Sequence, residues 1–173
     1  HVLYRSGGHH VFYGAADVDG DGVDELVVVY YSADPALKLS VLKVGAAARV
    51  YTVDPSPVAP SYAVTDGDLG FPIGLARGDF DNDGKDEVAI GFSKRLYVLG
   101  SLDGEPAALA SREFADTNAV FVAAGNLDTD PADELVVTYN RADIGYVAIY
   151  NGDLNAPVAQ QDLRLQIGST ARD

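Results

Sequence analysis

Cysteine, methionine and tryptophan are all missing from the 173-residue sequence. Without cysteine there is no disulfide staple and no thiolate chemistry, and the redox compartment stays open. The sequence starts on His1 and has no methionine, which predicts a processed product or a piece of a longer chain. Basic residues are scarce, 12 Lys and Arg against 26 Asp and Glu, for a formal net charge of −14. A field of that sign repels nucleic acid and anionic membranes and attracts divalent cations. No apolar run approaches the roughly 18 residues needed to span a bilayer. No window carries a helical apolar period, and no nucleophile motif, catalytic-metal spacing or phosphate loop occurs. The only histidines, His1, His9 and His10, sit together near the start. His9 and His10 follow Gly7-Gly8 and read as a solvated turn before they read as a rim site.

What is present points to a packed all-β protein. Hydrophobic residues make up 47% at a mean hydropathy of +0.02, too apolar for a disordered acidic tail. Tyr outnumbers Phe, and runs such as Leu26-Val27-Val28-Val29 favour strands.

The sequence is internally repetitive. Segments 17–30, 79–92 and 126–139 align without gaps, from Asp17-Val-Asp-Gly-Asp-Gly-Val-Asp-Glu through Asp79-Phe-Asp-Asn-Asp-Gly-Lys-Asp-Glu to Asn126-Leu-Asp-Thr-Asp-Pro-Ala-Asp-Glu. Each runs into an apolar strand pattern and follows a small-residue stretch. The starts are 62 residues apart (17 to 79) and then 47 apart (79 to 126). The final Ile167 to Asp173 matches Ile73 to Asp79, which puts Asp173 at the head of a fourth loop, another 47 residues on.

Around the second loop the pattern predicts strands over 72–78, 86–92, 95–100 and 107–114, with turns at Asp103-Gly104 and, one repeat later, Asn151-Gly152. Four antiparallel strands per period describe a β-propeller blade, and propellers close with ~4–8 blades. The expected organisation is therefore one all-β propeller segment of about three and a fraction blades, part of a larger propeller. Residues 1–5 would end a preceding blade, 6–66 form a blade with an insertion at 54–68, 67–118 and 119–166 form two more, and 167–173 begin the next.

The loops carry the chemistry. Calcium takes six to eight oxygens at ~2.3–2.6 Å, and a tight loop supplies them from positions 1, 3 and 5, a backbone carbonyl at 7 and an acid at 9. Glycine at position 6 permits the positive φ that folds the ligands around one point. The first loop offers Asp17, Asp19, Asp21 and Glu25 with the Val23 carbonyl. The second offers Asp79, Asp81, Asp83 and Glu87 with the Lys85 carbonyl. The third offers Asn126, Asp128, Asp130 and Glu134 with the Ala132 carbonyl. Asn126 replaces an aspartate and Pro131 the glycine, so this site is expected to be distorted, weaker or metal-free. Asp-Gly stretches are also ordinary turns. Three copies in one register argue for metal, because four carboxylates within nine residues repel one another without a cation. An EF-hand is excluded, since position 12 is Val28, Ile90 or Val137 and the flanks are strands.

The run Asp-x-Asp-x-Asp-Gly-x-Asp-Glu followed by Leu-Val-Val resembles the FG-GAP/VCBS repeats of integrin α-like propellers. These also occur in bacterial secreted and surface proteins, fungal lectins and rhamnogalacturonan lyases. The resemblance covers essentially the whole chain and is strongest at the first two loops. It implies calcium loops between the first two strands of each blade. The Phe-Gly and Gly-Ala-Pro signatures of the family are weak here, Ile90-Gly91-Phe92 being a loose echo.

The resemblance implies a calcium-stabilised, non-catalytic extracellular or cell-surface module that recognises glycan or protein, with no nucleic acid partner and no membrane insertion. Tyr13, Tyr31, Tyr62, Tyr139, Tyr146 and Tyr150 could stack on sugars, although most lie on strand patterns and read first as packing. Two alternatives stand beside it: the propeller part of a secreted polysaccharide lyase or other carbohydrate-active enzyme, and an assembly element of a surface layer or filament, completed by neighbouring subunits.

Overall fold

The computed structural model describes residues 11–31, 37–42, 49–52, 73–100, 102–103, 107–114, 117, 119–141, 144–152, 154 and 157–163. The expectations for residues 1–5, for the 54–68 insertion and for 167–173 lie outside the described residues, as do the three histidines and Tyr62.

The described residues form an all-β structure of three four-stranded antiparallel sheets, and no sheet closes on itself among them. The first contains β1 (Val11–Ala16), β2 (Glu25–Tyr31), β3 (Leu37–Leu42) and β4 (Arg49–Thr52). The second contains β5 (Gly74–Gly78), β6 (Glu87–Gly91), β7 (Arg95–Gly100) and β8 (Ala107–Glu113). The third contains β9 (Val120–Gly125), β10 (Glu134–Arg141), β11 (Ile144–Asn151) and β12 (Ala159–Leu163). In each sheet consecutive strands are neighbours, so each is a simple meander.

Register is set the same way three times. Ala16 pairs with Glu25, Gly78 with Glu87 and Gly125 with Glu134. Each acidic segment is thus an eight-residue hairpin loop between the first two strands of its sheet. Buried and less buried side chains alternate along β2 and β10, so a slip of one residue there would turn the buried set to the wrong face, whereas β6 is buried throughout.

The second sheet lies between the other two. Val27, Val29, Leu39 and Val41 of the first sheet pack with Val88, Ile90, Phe92, Tyr97 and Leu99 of the second. The opposite face of the second sheet, Ala76, Ala89, Leu96 and Val98, packs with Val120, Leu135, Val137, Ala148 and Tyr150 of the third. That explains why β6 is buried along its whole length. Each fully buried Val, Leu or Ile contributes ~1.5–3 kcal/mol.

The second and third sheets come close at Gly91, where a Cβ would stand 2.1 Å from the Val120 carbonyl oxygen. Among the tyrosines whose side chains are described, Tyr13 is exposed, while Tyr97, Tyr139, Tyr146 and Tyr150 make ring contacts. Tyr97 meets Phe92 edge-on at 5.7 Å, Tyr150 is buried beneath the Arg112 guanidinium, and Tyr139 stacks on Tyr146 at 5.2 Å.

Candidate metal centres

In all three loops the glutamate at position 9 is the buried element. Glu25, Glu87 and Glu134 are each 2% exposed, and each accepts the amide of position 2, from Val18 at 3.3 Å, Phe80 at 2.9 Å and Leu127 at 2.5 Å. Position 9 is the first residue of the second strand, which drives its side chain under the loop.

Around these glutamates the loops bring carboxylates together. Oxygens of Asp17, Asp19 and Glu25 lie within 4.8 Å of one another, as do those of Asp79, Asp81 and Glu87, and of Asp128, Asp130 and Glu134. Each cluster can hold a metal ion. The donors are all oxygen, the set preferred by hard cations. Burial pushes the Glu87 carboxyl up to about 7, against the pull of the Phe80 amide, and Asp81, Asp83 and Asp79 push it further the same way. In the third loop the buried Oε1 of Glu134 accepts no hydrogen bond from the described residues. A buried carboxylate in either condition is stabilised by an adjacent cation.

The remaining expected ligands hold the loops in shape. The position-5 carboxylates accept the amide of position 7: Asp21 from Val23, Asp83 from Lys85 and Asp130 from Ala132, each at 2.9 Å. This ties the residues expected to ligate through their carbonyls to the loop. The Lys85 ammonium turns away to Asp103 at 2.7 Å.

Position 1 separates the loops. Asp17 accepts Gly20 and Asp21 amides on Oδ1 and the Gly22 amide on Oδ2 at 2.8 Å. Asp79 accepts Asp83 on Oδ1 and Gly84 on Oδ2 at 2.9 Å. In the third loop Pro131 has no amide to give. There Asn126 donates its amide to the carbonyls of Asp130 at 2.6 Å and Ala132 at 3.4 Å, and Asn151 donates to Asp130 Oδ2 at 2.9 Å. The two departures read from the sequence are thus one: where the position-6 donor is lost, position 1 loses the carboxylate oxygen that it would have served.

Two features were missed by sequence reasoning. Position 4 is also left-handed in the first two loops, with φ 74° at Gly20 and 59° at Asn82, beside 82° and 88° at the position-6 glycines. Thr129 and Pro131 take no positive φ, so the third loop follows another path. Gly and Asn, the residues that tolerate this region, were the available signal. Position 8, aspartate in every loop, is the other. Asp86 accepts the Asp17 amide at 3.0 Å and donates its own to the Asp17 carbonyl at 2.8 Å, and the Asp133 amide bonds the Asp79 carbonyl at 2.9 Å. Neighbouring loops therefore touch and form one acidic ridge.

No protein-family profile matches the sequence, and no curated protein matches it. Among solved structures, the chain is similar to Bacillus licheniformis Rhamnogalacturonan Lyase PL11, with a TM-score of 0.58 at 13% identity. The match covers 91% of this chain but 35% of that one, so the chain spans about a third of its length. At this identity the likeness is one of fold.

Proposed function

We propose that the chain is an arc of a calcium-stapled β-propeller of the FG-GAP/VCBS kind, acting as a non-catalytic extracellular or cell-surface module that recognises a glycan or a protein. The observation that carries the reading is the triple recurrence of a carboxylate cluster in the same register, between the first two strands of each sheet. Calcium fits an all-oxygen, carboxylate-rich loop, and extracellular modules bind it at ~10⁻⁴–10⁻³ M. Three divalent ions would bring the formal charge from −14 to −8, six units less negative.

Two outer faces support the arc. Position 10 of the loop is Leu26, Val88 and Leu135. Val88 is 0% and Leu135 2% exposed, each covered by the preceding sheet, whereas Leu26 is 43% exposed. Phe121 of the third sheet is 53% exposed. Further sheets, from the same protein or from a neighbouring subunit, would bury both.

The test is a melt with calcium and with chelator, followed by a glycan array. An identical melting curve in chelator rejects the calcium staple. A second reading, the propeller part of a carbohydrate-active lyase, is favoured by the likeness to a rhamnogalacturonan lyase. Depolymerisation of rhamnogalacturonan by the protein would establish it. Binding to a glycan without depolymerisation supports the recognition module, and a defined calcium-dependent oligomer that binds no glycan supports an assembly element.

A further inference from the structure

The position-8 aspartates stand outside the carboxylate clusters, yet they lie between ligands. Asp86 is flanked in its own loop by Lys85 and Glu87, positions 7 and 9. Its backbone and side chain hold the preceding loop at Asp17, the first ligand of that site. The contact is reciprocal: the Asp17 amide donates to Asp86 Oδ2 at 3.0 Å, and the Asp86 amide donates to the Asp17 carbonyl at 2.8 Å. Arg77 of β5 donates to the same Oδ2 at 2.7 Å, which holds the carboxylate in place against Asp17. A second contact runs beside the first. At Gly20 a Cβ would stand 3.0 Å from the Gly84 carbonyl oxygen, so the left-handed turn of one loop rests on that of the next. The second and third loops repeat the arrangement in part, through the Asp133 amide and the Asp79 carbonyl at 2.9 Å. Gly78 makes room there, since a Cβ would lie 2.6 Å from Asp133 Oδ2.

We propose that Asp86 is a positioning residue that couples the first two loops, so that an ion in one raises the affinity of the other. The inference rests on the calcium reading above. An ion in the second loop fixes the peptide path from Asp83 to Glu87 and hence Asp86. Fixed, Asp86 holds both main-chain polar groups of Asp17, and the first loop meets its ion with that part of its ordering already done. Coupling between binding sites is reciprocal, so the first ion favours the second by the same factor.

The experiment follows the Gly22 and Gly84 amides of the 173-residue chain by NMR during titration with calcium, which reads the two loops separately. Three proteins are compared with the parent: D81N/D83N, which silences the second loop, D86A, and the three substitutions together. With Asp86 present, silencing the second loop is expected to weaken the first roughly 5- to 10-fold, within the usual range for coupled sites. D86A removes the carboxylate that accepts the Asp17 amide but keeps the main-chain amide that donates to the Asp17 carbonyl. Its first loop is therefore expected to be weaker than the parent's and to lose clearly less than the parent when the second loop is silenced. An equal loss in the two would show that the carboxylate carries none of the coupling. D86N, which keeps an oxygen for the Asp17 amide, should recover part of the coupling. A first-loop affinity unchanged by D81N/D83N overturns the proposal, and that comparison stands even if D86A does not fold. A parent protein that binds no calcium at either loop overturns the calcium reading itself and the coupling with it.

Discussion

Between Asp17 and Glu25, and again between Asp79 and Glu87, the turn is closed by a carboxylate at position 1 that collects amides from its own loop, with glycines at positive φ bringing those amides round. Between Asn126 and Glu134 the same two strands are joined by the same number of residues, but the direction of donation is reversed. The side chain at position 1 gives its amide to carbonyls, and no residue of the loop is left-handed. A carboxylate that gathers amides is still a ligand for a cation. An amide that reaches for carbonyls occupies part of the place a cation would take. One hairpin register therefore supports two wirings, and the choice turns on whether position 6 has an N–H.

The largest test of that contrast is removal of metal. With calcium at about 100 times the dissociation constant, each occupied loop adds ~2.7 kcal/mol, so two loops add about 5 kcal/mol. Chelator should then lower the melting temperature by roughly 10–20 °C for a chain of this size, read by calorimetry. In calcium titrations the third loop should bind at least ~10-fold more weakly than the other two, since its position-1 side chain brings no charge. Three equal sites would erase the distinction.

Moving the proline is the next test. G22P forces φ from 82° to about −65° and removes the donor to Asp17 Oδ2. It is expected to cost at least ~3 kcal/mol, from strain and a lost charge-assisted bond, in urea unfolding with calcium present. The converse change is smaller. In chelator, N126D sets a carboxylate against the Asp130 and Ala132 carbonyls and should cost ~1–3 kcal/mol. Adding P131G, which restores an amide at position 6, should recover most of it. A double variant no better than N126D would show that the two residues are independent.

The smallest test concerns position 4. Gly20→Thr places a β-branched residue at φ 74° and should cost ~1–2 kcal/mol. Thr129→Gly relieves nothing, because Thr129 is not left-handed, and should cost ~0.5–1 kcal/mol through added chain entropy. Equal effects at the two positions would mean that the loops share a backbone path after all.

The loop positions were legible because they repeat. The Asp-rich segment aligns without gaps in all three copies and runs straight into an apolar strand pattern, which marks where each hairpin loop ends. Strands expected at 72–78, 86–92, 95–100 and 107–114 correspond to β5 through β8 within two residues at either end. Pro131 was legible as a defect because its φ is fixed by covalent structure. The partner of Asp86 was not, since Asp17 is 69 residues away and no local pattern encodes a contact between sheets. Nor was the reversed role of Asn126, which depends on where two carbonyls point once the proline has redirected the turn. Tyr139 and Tyr146, which the strand pattern reads first as packing, stack on each other at 5.2 Å and so spend one face of each ring on the other.

Because the three loops abut, their charges are not spread over the surface. The first two contain five acidic residues each and the third four, fourteen of the 26 in the chain. Stripped of metal, the described residues are electrically lopsided, since outside the loops they include only Asp103, Glu113 and Asp162 as acids. The protein would settle on a cationic surface rim first, with a fixed face turned outward, and calcium would release it from that pose. On an anion-exchange column the same asymmetry should appear as a longer retention in chelator than in calcium, larger than net charge alone would give.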